Sequence, residues 1–158
     1  MKPTKIFVLG IILLSTLTNA HEQHMNLKRN NYSKLKDPVG PYVHAVKHND
    51  TLYVSGLTAF GTDNQNASIE KQAKTIFELI STIAKEEHVD LSSLIKVTLF
   101  VSDLSKIALL REELSKIYDK HIPASSLVKV DALFSPEIKI EVEAILALPN
   151  YSVTDLNK

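Results

Sequence analysis

The order of hydrophobic patterns along this chain predicts an α+β fold with two layers, ββαβαββ, in which two helices cover one face of a sheet. Two stretches carry apolar residues at helical spacing, and five short stretches are rich in β-branched and aromatic residues. Two amphipathic helices and one mainly β layer in that order make a two-layer domain with the helices on one sheet face. One strand candidate, Ile95–Val101, is apolar over most of its length. A strand of that kind is buried on both faces, so the sheet face away from the helices is expected to meet another subunit.

The elements follow in order. Tyr42 to Lys47 and Thr51 to Ser55 read as two strands joined at the turn formers His48-Asn49-Asp50, which makes a hairpin. Gly61 to Ala67 is a polar loop, and Ser68 is placed to cap the helix that follows. Ile69, Ala73, Ile76, Phe77, Ile80, Ile83 and Ala84 form that helix's apolar stripe, opposite Glu70, Lys71, Lys74, Glu78 and Lys85. After the Ile95–Val101 strand, a second helix spans Leu104 to about Lys120, with Ile107, Leu110, Leu114, Ile117 and Tyr118 as its stripe. Pro123 prevents its continuation. Ser126–Leu133 and Ile138–Leu148 complete the sheet, the last setting Ile138, Ile140 and Val142 against Lys139, Glu141 and Glu143.

Composition narrows the function classes. The 158 residues carry 18 basic and 18 acidic side chains and no Cys. Disulfide scaffolds, thiolate metal sites and cysteine nucleophiles are therefore excluded, and charge balance argues against a nucleic-acid binder. Residues 1–20 read as a secretory signal peptide: Lys2 and Lys5, an apolar run from Ile6 to Leu14, and a small-residue ending at Thr18-Asn19-Ala20. Cleavage after Ala20 leaves 16 basic against 18 acidic groups and predicts a secreted or periplasmic protein without stable membrane association. Residues 21–37 read as a flexible lead-in, 38–148 as the domain, and 149–158 as a C-terminal tail.

Five blocks in register carry a family resemblance. They are Gly40-Pro41-Tyr42, Leu52-Tyr53-Val54-Ser55-Gly56, Ile95 through Leu104, Pro123-Ala124-Ser125-Ser126-Leu127-Val128-Lys129-Val130, and Ile140 through Ile145. Together they resemble the Rid (YjgF, reactive intermediate deaminase) family from Pro38 to Leu148. The resemblance implies a chorismate-mutase-like subunit in a homotrimer, with small-molecule clefts between subunits. It also implies hydrolysis of 2-imino or enamine acids to 2-oxo acids and ammonia, without metal or cofactor.

Such hydrolysis needs a group to orient the attacking water and a charged fork to hold the substrate carboxylate. The resemblance assigns Glu141 and Tyr42 to the catalytic positions, and Ser55, Gly56, Ser125 and Ser126 to the ligand. It places Ser125 where the deaminases carry the carboxylate-binding arginine, and Leu127 where a Cys commonly follows. Losing a charge-assisted fork costs about 2–5 kcal/mol of substrate binding, which implies weakened or altered specificity. Arg111, on the second helix, is a candidate to supply the missing cation. His44 lies in the first strand, either lining the cleft or facing solvent, whereas His48, His88 and His121 fall at turns and helix ends. Two readings stay open: an imine or enamine hydrolase, and a non-catalytic metabolite-binding trimer.

Overall fold

In the computed structural model, residues 27–149 are described, so the segment expected to be a signal peptide, residues 1–20, and the expected C-terminal tail beyond Pro149 lie outside the described residues. Six strands and two α-helices follow in the order β1 (Leu27–Asn30), β2 (Ala45–His48), β3 (Thr51–Leu57), α1 (Ile69–Glu86), β4 (Leu94–Val101), α2 (Ile107–Tyr118), β5 (Ala124–Lys129) and β6 (Ile140–Ala147). They build one mixed sheet in the order β1-β2-β3-β6-β4-β5, in which β4 and β5 run parallel and every other pair is antiparallel.

The last strand in sequence is thus central in space. In β6 the alternation is strict: Ile140, Val142, Ala144 and Leu146 are buried, while Glu141, Glu143 and Ile145 face the other side. The buried row packs against α1, whose stripe from Ile69 to Ala84 is buried as its spacing predicts. The second helix lays Leu110 and Leu114 into the same core. It begins at Ile107, later than the pattern suggests, because Asp103 accepts the Ser105 N–H at 2.8 Å and holds a turn before the helix. Ser68 does precede α1, but its hydroxyl pairs with Glu70 instead of a backbone N–H.

The lead-in is where the fold departs most from the pattern. Within it, β1 pairs with β2 from Leu27 opposite His48 to Asn30 opposite Ala45, and Tyr32 is buried in the core. An edge strand with solvent on both sides shows no alternation, so nothing in Leu27-Lys28-Arg29-Asn30 advertises it. Buried polar side chains anchor this segment. His44 is 4% exposed, and its Nδ1 accepts the Tyr32 N–H at 3.0 Å while Nε2 donates to the Lys36 carbonyl at 2.9 Å. That pattern requires the neutral ring with its proton on Nε2. Glu87 receives Tyr32 Oη at 2.9 Å and Asn30 Nδ2 at 2.8 Å, fastening the same segment to the end of α1.

Gln72, fully buried on α1, performs the equivalent task for two loops. Its Nε2 donates to the carbonyls of Gln65 at 2.6 Å and Glu137 at 2.7 Å, and its Oε1 accepts the Lys139 N–H at 2.9 Å. Gln72→Leu keeps the volume but strands all three backbone groups, so it is expected to cost about 3 kcal/mol in a urea unfolding titration, a few kcal/mol being typical of unmade buried hydrogen bonds.

Candidate functional site

Two one-residue bulges decide what the sheet presents. Val54 pairs with Ala144 and Leu57 with Val142, so β3 contains one residue more than β6 over that interval, and the surplus falls at Ser55-Gly56. The missing side chain at Gly56 is required there. A Cβ on Gly56 would stand 2.0 Å from Glu141 Oε1 and 2.8 Å from its Cδ. The Glu141 carboxylate therefore lies directly over the Gly56 backbone. The second bulge, between Leu94 and Lys96 of β4, turns both Ile95 and Lys96 away from the helices.

Beside the first bulge is a cavity of about 730 Å³. Tyr42, His44, Ser55, Gly56 and Glu141 line it together with Leu57, Phe60 and Phe134. The rings of Phe60 and Phe134 meet edge to face with centroids 5.2 Å apart. Ser55 is partly committed, its Oγ donating to the Val43 carbonyl at 2.7 Å, which leaves its lone pairs for a ligand donor. His44 reaches the cavity wall but both ring nitrogens are engaged, so it shapes the wall.

Glu141 is the chemically distinctive member. Burial, then the charge of Glu143 two residues on, raises its pKa above the usual carboxylate value, and no hydrogen bond or cation among the described residues offsets this. A carboxyl in that setting exchanges protons nearer neutral pH than an exposed one, which suits general acid–base work. Lys34 and Lys36 also line the cavity, yet the first ammonium pairs with Glu86 at 2.5 Å and the second sits on the Gly61 carbonyl.

The remaining sequence candidates lie elsewhere. Ser125 and Ser126 are exposed on β5 at the far edge of the sheet, opposite Val97 and Thr98 of β4, and Ser126 accepts a hydrogen bond from Lys96 Nζ at 2.6 Å. Arg111 is exposed on α2 and does not line the cavity. Phe60, Phe134 and Lys36 line the cavity without having been singled out by the sequence, because they lie in loops that have no periodicity to mark which residues face inward. Among the described residues no group of three or more His, Asp or Glu is arranged to hold a metal ion.

The fold and cavity define a small α+β domain with a carboxylate-bearing pocket beside a bulged central strand. A family model described as Endoribonuclease L-PSP matches residues 33–148. The chain is 36% identical over 110 residues to a putative regulator AldR of Lactococcus lactis, covering 68% of this chain and 86% of that one. It is 30% identical to the chloroplastic Reactive Intermediate Deaminase A of Arabidopsis thaliana, covering 70% of this chain and 60% of that protein. The crystal structure of yeast Mmf1 superposes with a TM-score of 0.69 at 29% identity, over 78% of this chain and 99% of that one. The Escherichia coli YjgF structure does so with a TM-score of 0.68 at 25% identity, over 76% and 98%. The chain belongs to the Rid/YjgF family, the Endoribonuclease L-PSP group.

Two predictions follow from the Glu141–Gly56 contact. Gly56→Ala forces the carboxylate aside and is expected to destabilise by about 1–3 kcal/mol, the usual range for overpacking. In a Glu141→Ala background, where the obstructing atoms are gone, the same substitution should cost distinctly less, which a double-mutant cycle in urea measures. The raised pKa fixes the sign of a pH effect. Between the unfolded and folded values the native state binds more protons, so Glu141's contribution to stability is present at low pH and is lost as pH rises through the folded value. Unfolding curves should show Glu141→Gln gaining stability over the wild type as pH rises from about 4 towards neutrality, with a constant difference below the unfolded carboxylate pKa of ~4.3.

Proposed function

We propose that this chain is an imine or enamine hydrolase, a deaminase of small reactive metabolites with altered specificity, working as a homotrimer with its ligand clefts between subunits. The observation that carries the reading is the Glu141 carboxyl, unpaired and half-buried over Gly56 in a cavity it shares with Tyr42 and Ser55. Glu141 takes a proton from the attacking water as its oxygen bonds to the imine carbon and passes it to the nitrogen. It then carries the remaining hydroxyl proton to the same nitrogen as the C–N bond breaks, leaving a carbonyl compound and ammonia. The Tyr42 hydroxyl and the Ser55 lone pairs orient the nitrogen. Support comes also from a relative named as a reactive intermediate deaminase.

The trimer rests on the sheet face opposite the helices. Tyr53, Ile95 and Val128 are each more than 40% exposed there, a combination that a solitary subunit leaves against water. In a trimer Ser125 and Ser126, on the edge strand, can complete a neighbour's cleft though they stand apart from the cavity of their own subunit, whereas Arg111 lies on α2 in the helix layer, away from that interface. Export after cleavage at Ala20 remains part of the proposal on the strength of the leader pattern, and N-terminal sequencing of secreted material should begin at His21.

A second reading, a metabolite-binding trimer without turnover, is favoured by the engaged state of both cavity lysines. One assay separates the two. Imines generated in situ by an amino-acid oxidase should release 2-oxo acid and ammonia faster with the protein than without it, and Glu141→Gln should abolish the difference. Ligand binding without any acceleration would establish the second reading. Because Glu141 titrates above the ordinary carboxylate range, the acid limb of the rate profile should lie above ~4.3 and vanish with Glu141→Gln. Ile95→Asp should convert trimer to monomer in light scattering, and an unchanged mass would overturn the interface.

A further inference from the structure

We propose that the cavity selects organic cations, namely protonated primary amines and the iminium ions derived from them, with an aromatic or branched apolar body and no carboxylate. The binding half of this inference stands on the cavity itself. The catalytic half rests on the hydrolase reading above.

Charge is the first argument. Of the charged groups lining the cavity, Lys34 is paired with a carboxylate, Lys36 sits on a neutral backbone carbonyl and keeps its charge, and Asp37 and Glu141 are the two acids. Among the described residues Glu141 has no partner, and Glu143 on the same face of β6 adds a negative charge nearby. A carboxylate held partly out of water with no counter-ion gains most from a ligand that brings a cation. An anionic ligand entering the same space gains nothing from Glu141 and is repelled by it.

The walls supply the second argument. Tyr42, Phe60 and Phe134 offer aromatic surface, and Leu57 adds apolar area beside the Gly56 bulge. Aromatic faces attract ammonium and iminium groups while their area takes up an apolar body. Among the described residues that line the cavity there is no Arg, the forked donor that carboxylate recognition uses. The two serines of the Pro123-Ala124-Ser125-Ser126 block are on the far edge strand, and neither is charged.

The chemistry balances for an iminium substrate. Water oxygen bonds to the iminium carbon as the C=N π electrons move to nitrogen. One water proton passes through Glu141 to that nitrogen, giving a carbinolamine with a C–NH3+ group. As the C–N bond breaks, its electron pair leaves with nitrogen and the remaining hydroxyl proton passes through Glu141 to the departing ammonia, leaving an aldehyde or ketone and an ammonium ion. The cationic nitrogen is held by Glu141 at the start and leaves as a cation, so one carboxylate serves both binding and proton transfer.

The test is calorimetric titration of the full protein with phenethylamine, hydrocinnamate and phenethyl alcohol, which share a phenyl body and differ in charge. Phenethylamine is expected to bind at least tenfold more tightly than either of the others, and Glu141→Gln, checked for folding by urea titration, should remove that preference. Tighter binding of hydrocinnamate, lost on Lys36→Ala, would overturn the proposal in favour of an anion site on Lys36. Equal affinities, or no binding by any of the three, would overturn it as well. Turnover is scored separately, comparing imines made by an amine oxidase with those made by an amino-acid oxidase. If neither is hydrolysed faster, the hydrolase reading fails, and the titrations still decide the cation preference.

Discussion

The insertion of β6 between β3 and β4 is the constraint on which the molecule depends. It is the last strand to emerge in the chain and the one with the most neighbours in space, pairing along its length with β3 on one side and β4 on the other. Its even-numbered residues complete the core under α1, and its odd-numbered residues face the cavity side and the open sheet face. One alternation therefore sets both stability and chemistry. A register slip by one residue would bury Glu141 and expose Val142, so the same burial that stabilises the sheet fixes where the carboxylate stands.

Around that strand, polar side chains act as fasteners for irregular segments. Gln72 ties the loop before α1 to the chain entering β6, and His44 ties the segment after β1 to β2. These loops have no ladder of their own, so their backbone groups need buried side-chain partners. Both contribute to the cavity wall or its supports. The cavity is thus shaped by the chain's irregular parts but held in position by side chains rooted in α1 and just before β2.

The resulting site is unbalanced in charge. A carboxyl with burial against it and no counter-ion faces aromatic surface, while the cations nearby are already occupied. The family's architecture is retained, as the match over residues 33–148 and the superposition on yeast Mmf1 make plain.

The two helices, the hairpin and the alternation of β6 were legible in the sequence because amphipathic periodicity directly records which face of an element is buried. The five blocks from Gly40 to Ile145 were enough to indicate the family. The edge strand β1 was not legible, since Leu27 to Asn30 lies open on both faces and records no pattern. Nor was the separation of Ser125, Ser126 and Arg111 from Tyr42, Ser55 and Glu141, which depends on strand order in the sheet. The sequence by itself determined the elements, their buried faces and the family, because those follow from local spacing. Only the tertiary structure decided that Glu141 lies over Gly56 with no cation beside it among the described residues. That contact arises from a bulge and a pairing between strands distant in sequence, and no local pattern encodes it.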